Sequence, residues 1–282
     1  MITGLLIAFS LLIEYIYNPI SNFKDTYVLE LTIDKYKEYF KGYFKEKYIL
    51  YLLFPVIIFI LFSIAISLIN FIFHPFFAFL LNLIILIYCL KPGEFNRIID
   101  QTKLISDNSE PEQFDKKRAD YILSSESTKE LSDTRCSVFY SSTRNIFNVL
   151  FWFLILGPAG SLAYTSFDYM INGKIKIDSA SKKKLKQFVG YIEYVPIHLT
   201  LLSFALVDDF ETCKRNWQKK STGKDLYLSN IELINTIGFN LIDHESELDN
   251  DIFYTNAQMI IFRALLAWLS IIILLIFGGF FV

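Results

Sequence analysis

Residues 151–160 read FWFLILGPAG, inside an uncharged run that extends from 145 to 167. At about 1.5 Å of rise per residue the run is long enough to cross a hydrocarbon core of about 30 Å, yet Gly157-Pro158 interrupts its middle. Pro158 lacks a backbone donor and its ring crowds the carbonyl one turn earlier, so groups freed in lipid must find partners inside the protein. Gly and Pro are common in membrane helices, and the break reads as a packing kink before it reads as a site. FWFLILGPAG itself holds no acid, base or metal ligand. Chemistry near it would fall to polar neighbours, with Gly157 and Pro158 as a pocket wall and Tyr164 and Asp168 following them.

Composition agrees with a membrane setting. Hydrophobic residues make up 53% of 282 positions and the mean hydropathy is +0.38, which is not the make-up of a soluble domain. A formal net charge of −2 gives no field for nucleic acid. Cys89, Cys136 and Cys213 share no short spacing and His74, His198 and His244 are scattered, so neither a disulfide framework nor a metal site is expected.

Outward from the centre, the chain reads as an all-α polytopic membrane protein. Four spans are expected at 48–70, 74–90, 146–170 and 260–282, with short hydrophobic helices at 1–17 and 194–207. Residues 1–13 are apolar and end at Glu14, a carboxylate that is costly at a membrane edge without a partner and therefore a candidate pocket residue. Between 18 and 47, Tyr36, Tyr39, Phe40, Tyr43 and Phe44 recur at helical spacing among lysines, as in an amphipathic helix lying at the headgroups. The charge-free stretch 48–90 is divided by Phe73-His74-Pro75-Phe76 and reads as a hairpin. Pro55 and Pro75 are expected near the first turn of each span, and His74 as an interfacial turn residue.

Residues 91–144 form a polar helical loop in which Ser109 and Glu112 suggest a capping box. Lys and Arg concentrate here and in 18–47, which places both ends of the hairpin in the cytoplasm. No GxxxxGK[ST] or GxGxxG motif occurs in it. After the central helix, Lys174, Lys176, Lys182, Lys183, Lys184 and Lys186 would lie outside if that helix crossed fully. Either the chain turns back at Gly157-Pro158 or the positive-inside bias fails locally. The segment 194–207, YVPIHLTLLSFALV, is short for a span, with Pro196 in its first turn. His198 on this apolar helix and Asp208 at its end are candidate site residues, beside Asp209 and Glu211. A polar helical segment at 208–258 precedes the last span, and its acidic run at 243–251 lacks calcium-loop spacing. The whole chain, 1–282, is read as a single membrane domain.

The stretches 151–164 and 195–210 resemble the signatures of the AmpE family of bacterial inner-membrane proteins, which is related to the CobD/CbiB cobalamin-biosynthesis enzymes. The likeness covers the order of elements over essentially the whole chain. It departs at Thr165 and His198, where the family usually has Arg, at Tyr194, where it has Trp, and at Asp208, where it has Gly. The resemblance implies a multi-pass inner-membrane protein acting as a sensor or modulator in β-lactamase induction and antibiotic response, alongside a cell-wall amidase pathway. The enzyme branch implies an alternative, ATP-dependent amide formation like that of adenosylcobinamide-phosphate synthase, with ATP and Mg²⁺ required. In that case Arg144 is the candidate for phosphate neutralisation, with His198 and Asp208 as further catalytic candidates. The carboxylate that this branch carries just before the central helix is missing from 141–144. A small transporter built on the broken helix is a second alternative.

Overall fold

The computed structural model describes residues 2–16, 27–40, 43, 44, 46–72, 74–90, 134–173, 175, 177–219, 225–242 and 250–278. All its elements are helical: α1 (Ile2–Ile16), α2 (Tyr27–Tyr39), α3 (Lys47–Ile72), α4 (Pro75–Cys89), α5 (Thr134–Ser142), a π-helical turn (Thr143–Phe147), α6 (Asn148–Asn172), α7 (Ser179–Val207), α8 (Phe210–Lys219), α9 (Leu226–Ile242) and α10 (Asn250–Phe277). Among the described residues four stretches are long and apolar enough to cross a membrane: Lys47–Ile72, Val138–Asn172, Ser179–Val207 and Ile252–Leu275. The chain is an all-α membrane protein. The capping box at Ser109 and Glu112, Lys174 and Lys176, and most of the acidic run lie outside the described residues.

The helices form two compact units, one of Met1–Lys91, Asn148–Val189 and Ile276–Val282, the other of Pro92–Phe147 and Gly190–Leu275. In the first, α1 packs on α4, α2 on α3, and α3 and α4 on each other and on α6. Ile60, Leu61, Ile64, Leu68 and Phe71 of α3 stay exposed, as befits a helix with lipid on one side. His74 caps α4, its Nδ1 accepting from the Phe76 N–H at 3.3 Å, and Pro75 fills the first helical position. Pro55, expected in a first turn, lies inside α3 instead. That helix begins at Lys47, and neighbouring helices can absorb the freed carbonyl of a membrane proline.

Helix α6 settles how the central run treats its break: it turns back. Gly157 has φ 70° and ψ −165°, a region essentially restricted to glycine. The Asn148 Nδ2–H donates to the Tyr164 hydroxyl at 2.8 Å, sixteen residues away. A straight helix would hold these residues about 24 Å apart, beyond the reach of both side chains. Likewise, a Cβ on Gly160 would lie 2.8 Å from the Trp152 carbonyl oxygen and 2.3 Å from the Leu156 Cβ; eight residues along a straight helix are about 12 Å. Three of the four residues of GPAG then have a structural part. Gly157 makes the reversal, Pro158 opens the second arm, and Gly160 lets the arms touch.

The lysine run agrees with this reversal. Lys184 Nζ lies 3.2 Å from Glu46 Oε2 and 3.7 Å from the centre of the Tyr48 ring, so the start of α7 meets the start of α3. Both ends therefore sit at one membrane face, and Lys182, Lys183, Lys184 and Lys186 lie on that face with Lys47.

Helix α7 departs from expectation in length. The lysines and YVPIHLTLLSFALV belong to one 29-residue helix, opened by Asp178, whose carboxylate accepts from the Ser181 N–H at 3.0 Å. Pro196 is consequently in its interior, not its first turn. The last span also starts earlier than expected, at Ile252, within a helix that begins at Asn250. The polar segment before it contributes a core helix, α9, burying Ile231, Ile234, Ile237 and Leu241.

Candidate functional site

Within the second unit, buried polar groups converge on the turn that precedes α6. Ser142 Oγ and Thr143 Oγ1 both donate to the Phe139 carbonyl, each at 2.8 Å. Hydroxyls that occupy a carbonyl of the α-helical ladder loosen it, and the next five residues wind as a π-helix, Thr143–Phe147, all buried. Such turns often accompany functional sites. This one carries Arg144, only 4% exposed, with its guanidinium 6.0 Å from the centre of the Tyr140 ring.

Tyr140 links three helices. Its hydroxyl donates to Glu193 Oε2 of α7 at 3.0 Å, and its N–H donates to Asn235 Oδ1 of α9 at 2.9 Å. Asn230 of α9 donates to the Gly190 carbonyl at 2.8 Å, tying α9 to α7 a second time. Glu193 is 1% exposed and Asn235 fully buried. The Asn235 Nδ2 finds no acceptor among the described residues. Around this group stands an aromatic wall: Phe204 meets Phe139 and Phe147 edge-on, Phe147 meets Trp268, and Tyr227 meets Tyr140. Gly238 leaves room for the Phe139 ring, which a Cβ there would overlap at 2.2 Å.

Chemically the cluster joins a guanidinium, which suits the two oxygens of a carboxylate or phosphate, to a carboxylate that can take an amine or a hydroxyl. Burying both charges is costly unless each is paired and hydrogen-bonded. Among the described residues no group of three or more His, Cys, Asp or Glu is placed to hold a metal.

The expected site residues are distributed as follows. Arg144 is in this cluster. Pro196 is buried in α7, and the Thr200 hydroxyl donates to its carbonyl at 2.8 Å. His198 is partly exposed; its Nδ1 is 2.7 Å from the Tyr194 carbonyl oxygen and its ring stacks between Tyr194 and Trp217, 4.1 and 5.2 Å away. Asp208 is exposed at the end of α7. Gly157, Pro158, Tyr164 and Asp168 belong to the hairpin of the first unit, where Asp168, 8% exposed, accepts from Asn172 Nδ2 at 2.8 Å. Tyr164, Asp168 and Asn172 follow one another at four-residue spacing, and so make a polar stripe down one face of the second arm. Glu14 lies in α1, with its side chain outside the described residues.

Glu193, Tyr140 and Asn235 were not singled out by sequence. A signal for Glu193 exists: Leu185, Val189, Glu193, Ile197 and Leu201 recur every four residues and all are buried, so the acid interrupts an apolar stripe. Comparison with family models, with curated proteins and with solved structures finds no match to this chain. Its class is that of a helical integral membrane protein.

Proposed function

We propose that the protein is a ligand-sensing modulator of AmpE type in a bacterial inner membrane, acting in β-lactamase induction and the response to cell-wall antibiotics. The observation that carries this reading is the buried Arg144, set on a π-helical turn beside the Tyr140–Glu193 pair. Charged groups at membrane depth are expensive and mark functional positions, and this pair offers a small polar ligand one oxyanion contact and one amine contact. The pathway, including a cell-wall amidase as functional partner, is what the resemblance of 151–164 and 195–210 to the AmpE signatures implies. Deletion of the gene should change the response to cell-wall antibiotics without creating a vitamin requirement, and Arg144→Ala should reproduce the deletion. An unchanged response would refute the reading.

Glu193 favours a second reading, an ATP-dependent amide ligase. In this reading Glu193 of α7, which accepts from the Tyr140 hydroxyl, would take the place of the carboxylate missing from 141–144 and orient an amine, while Arg144 would neutralise phosphate. ATP and Mg²⁺ would provide the activation chemistry. Purified protein given a corrinoid carboxylate, an amine and Mg-ATP should turn over, with loss on Arg144→Ala; no turnover rejects this alternative. The reversal at Gly157 favours a third, a small transporter, since discontinuous helices line transport sites. Substrate uptake or efflux by reconstituted vesicles is its test.

A further inference from the structure

We infer that the outer face of α10 binds a transmembrane helix of another protein, one that carries an aspartate or glutamate at mid-depth opposite Arg263. Residues 252–275, long and apolar enough to cross the membrane, hold a single charge, Arg263. It stands eleven residues after Ile252 and twelve before Leu275, so about 17 Å of helix separates it from either end. That is farther than its side chain can stretch toward the headgroups. Arg263 is exposed and makes no ion pair with a described residue.

Helix α10 has two faces. Ala257, Ala264 and Trp268 are buried on one, Trp268 against Phe147. Arg263 lies on the other, where the side chains keep the heptad spacing of a helix–helix seam. Asn256, Arg263 and Ser270 are seven apart, and Met259, Leu266 and Ile273 each follow three residues later. Asn256 is partly exposed and the other five are exposed. Small and polar residues at a fixed period are what membrane helices use to pack on one another. Ser270 already donates to the Leu266 carbonyl at 2.9 Å, so its part in the seam is its small size. Asn256 can bond across, and the guanidinium fixes the register. An arginine at this depth is costly in lipid. A carboxylate on the facing helix, accepting from two guanidinium donors at once, offsets that cost.

A second copy does not supply the carboxylate. Copies of this chain share one orientation in the bilayer, and a twofold axis along the membrane normal would set Arg263 against Arg263. The acids inside the four spans are Asp168 and Glu193, 8% and 1% exposed, and neither is open to a neighbour. Glu14 lies within one turn of the end of α1, away from mid-depth. A lipid phosphate sits at the headgroups, out of reach. The partner is a different chain with an acid at its centre.

The full chain in neutral phosphatidylcholine vesicles, together with synthetic transmembrane peptides of leucine and alanine that end in lysines and carry Glu, Gln or Leu at their centre, provides the test. Energy transfer from the tryptophans of the protein to a dansyl group on the peptide reads association. The Glu peptide should associate at about tenfold lower mole fraction than the Leu peptide, with the Gln peptide between them. Arg263→Leu should remove that preference, and Arg263→Glu should move it to a peptide with a central Arg. Equal association of the Glu and Leu peptides, the result if lipid phosphate or a second copy covers Arg263, overturns the assignment. So does a Glu preference that survives Arg263→Leu. The comparison of peptides on wild type needs no variant to fold.

Discussion

Alanine at Gly157 gives opposite outcomes for a reversed and for a straight helix. At φ 70° and ψ −165° an L side chain costs about 1–3 kcal/mol in backbone strain. No atom lies within 4 Å of the added Cβ, so no packing gain or clash offsets that cost. Had the helix run straight through, replacing an interior glycine would stabilise it by about 1 kcal/mol. The two geometries therefore differ in sign and by about 2–4 kcal/mol. Unfolding of the detergent-solubilised protein by sodium dodecyl sulfate, followed by circular dichroism, reads that difference directly. Gly160→Ala is the companion: its Cβ meets the Trp152 carbonyl and the Leu156 Cβ, and such overpacking costs about 1–3 kcal/mol. Both variants should lower stability. If either raises it, the reversal at Gly157 is wrong.

Tyr140→Phe removes the hydroxyl that donates to Glu193 and should cost about 1–3 kcal/mol; a double-mutant cycle with Glu193→Gln should return a coupling of about 0.5–3 kcal/mol, and none if the pair does not interact. The Ser181 N–H at the start of α7 holds the Asp178 carboxyl below its usual range. A lowered folded-state value means that the charged cap stabilises above the unfolded value and is lost as pH falls through the folded one. The stability gap between wild type and Asp178→Asn should be present at pH 7 and close on acidification below about pH 4. Burial, with Asp209 and Asp208 adding to it, pushes the Cys213 thiol up to about 12. At pH 8 its alkylation should be about a thousandfold slower than that of an ordinary exposed cysteine, and should recover on denaturation.

Much of the architecture could be read from local chemistry. Charge-free runs locate α3, α4 and the central segment because lipid tolerates little else, and His74-Pro75 announces a helix start through an acceptor and a fixed φ. What local pattern does not carry is the hand-over from one helix to the next. Lys182 to Lys186 read as a solvated charge run or an interfacial helix of their own until Asp178 is recognised as the cap that makes them the first turns of α7. GPAG reads equally as a kink or as a reversal, because the choice rests on whether Gly160 meets Trp152, a contact between two arms. The candidate site was legible only at Arg144. Glu193 and Asn235 join it across 53 and 95 residues from Tyr140, and no spacing rule reaches that far.

The claim with the widest consequence is that the chain returns at Gly157 to the membrane face it left. In a variant whose native cysteines are replaced, single cysteines at Lys47 and at Lys183 can be probed in sealed vesicles with a membrane-impermeant maleimide. The contact of Lys184 with Glu46 and Tyr48 predicts that both positions react from the same side. Labelling from opposite sides would mean that the central segment crosses once, and would contradict the account.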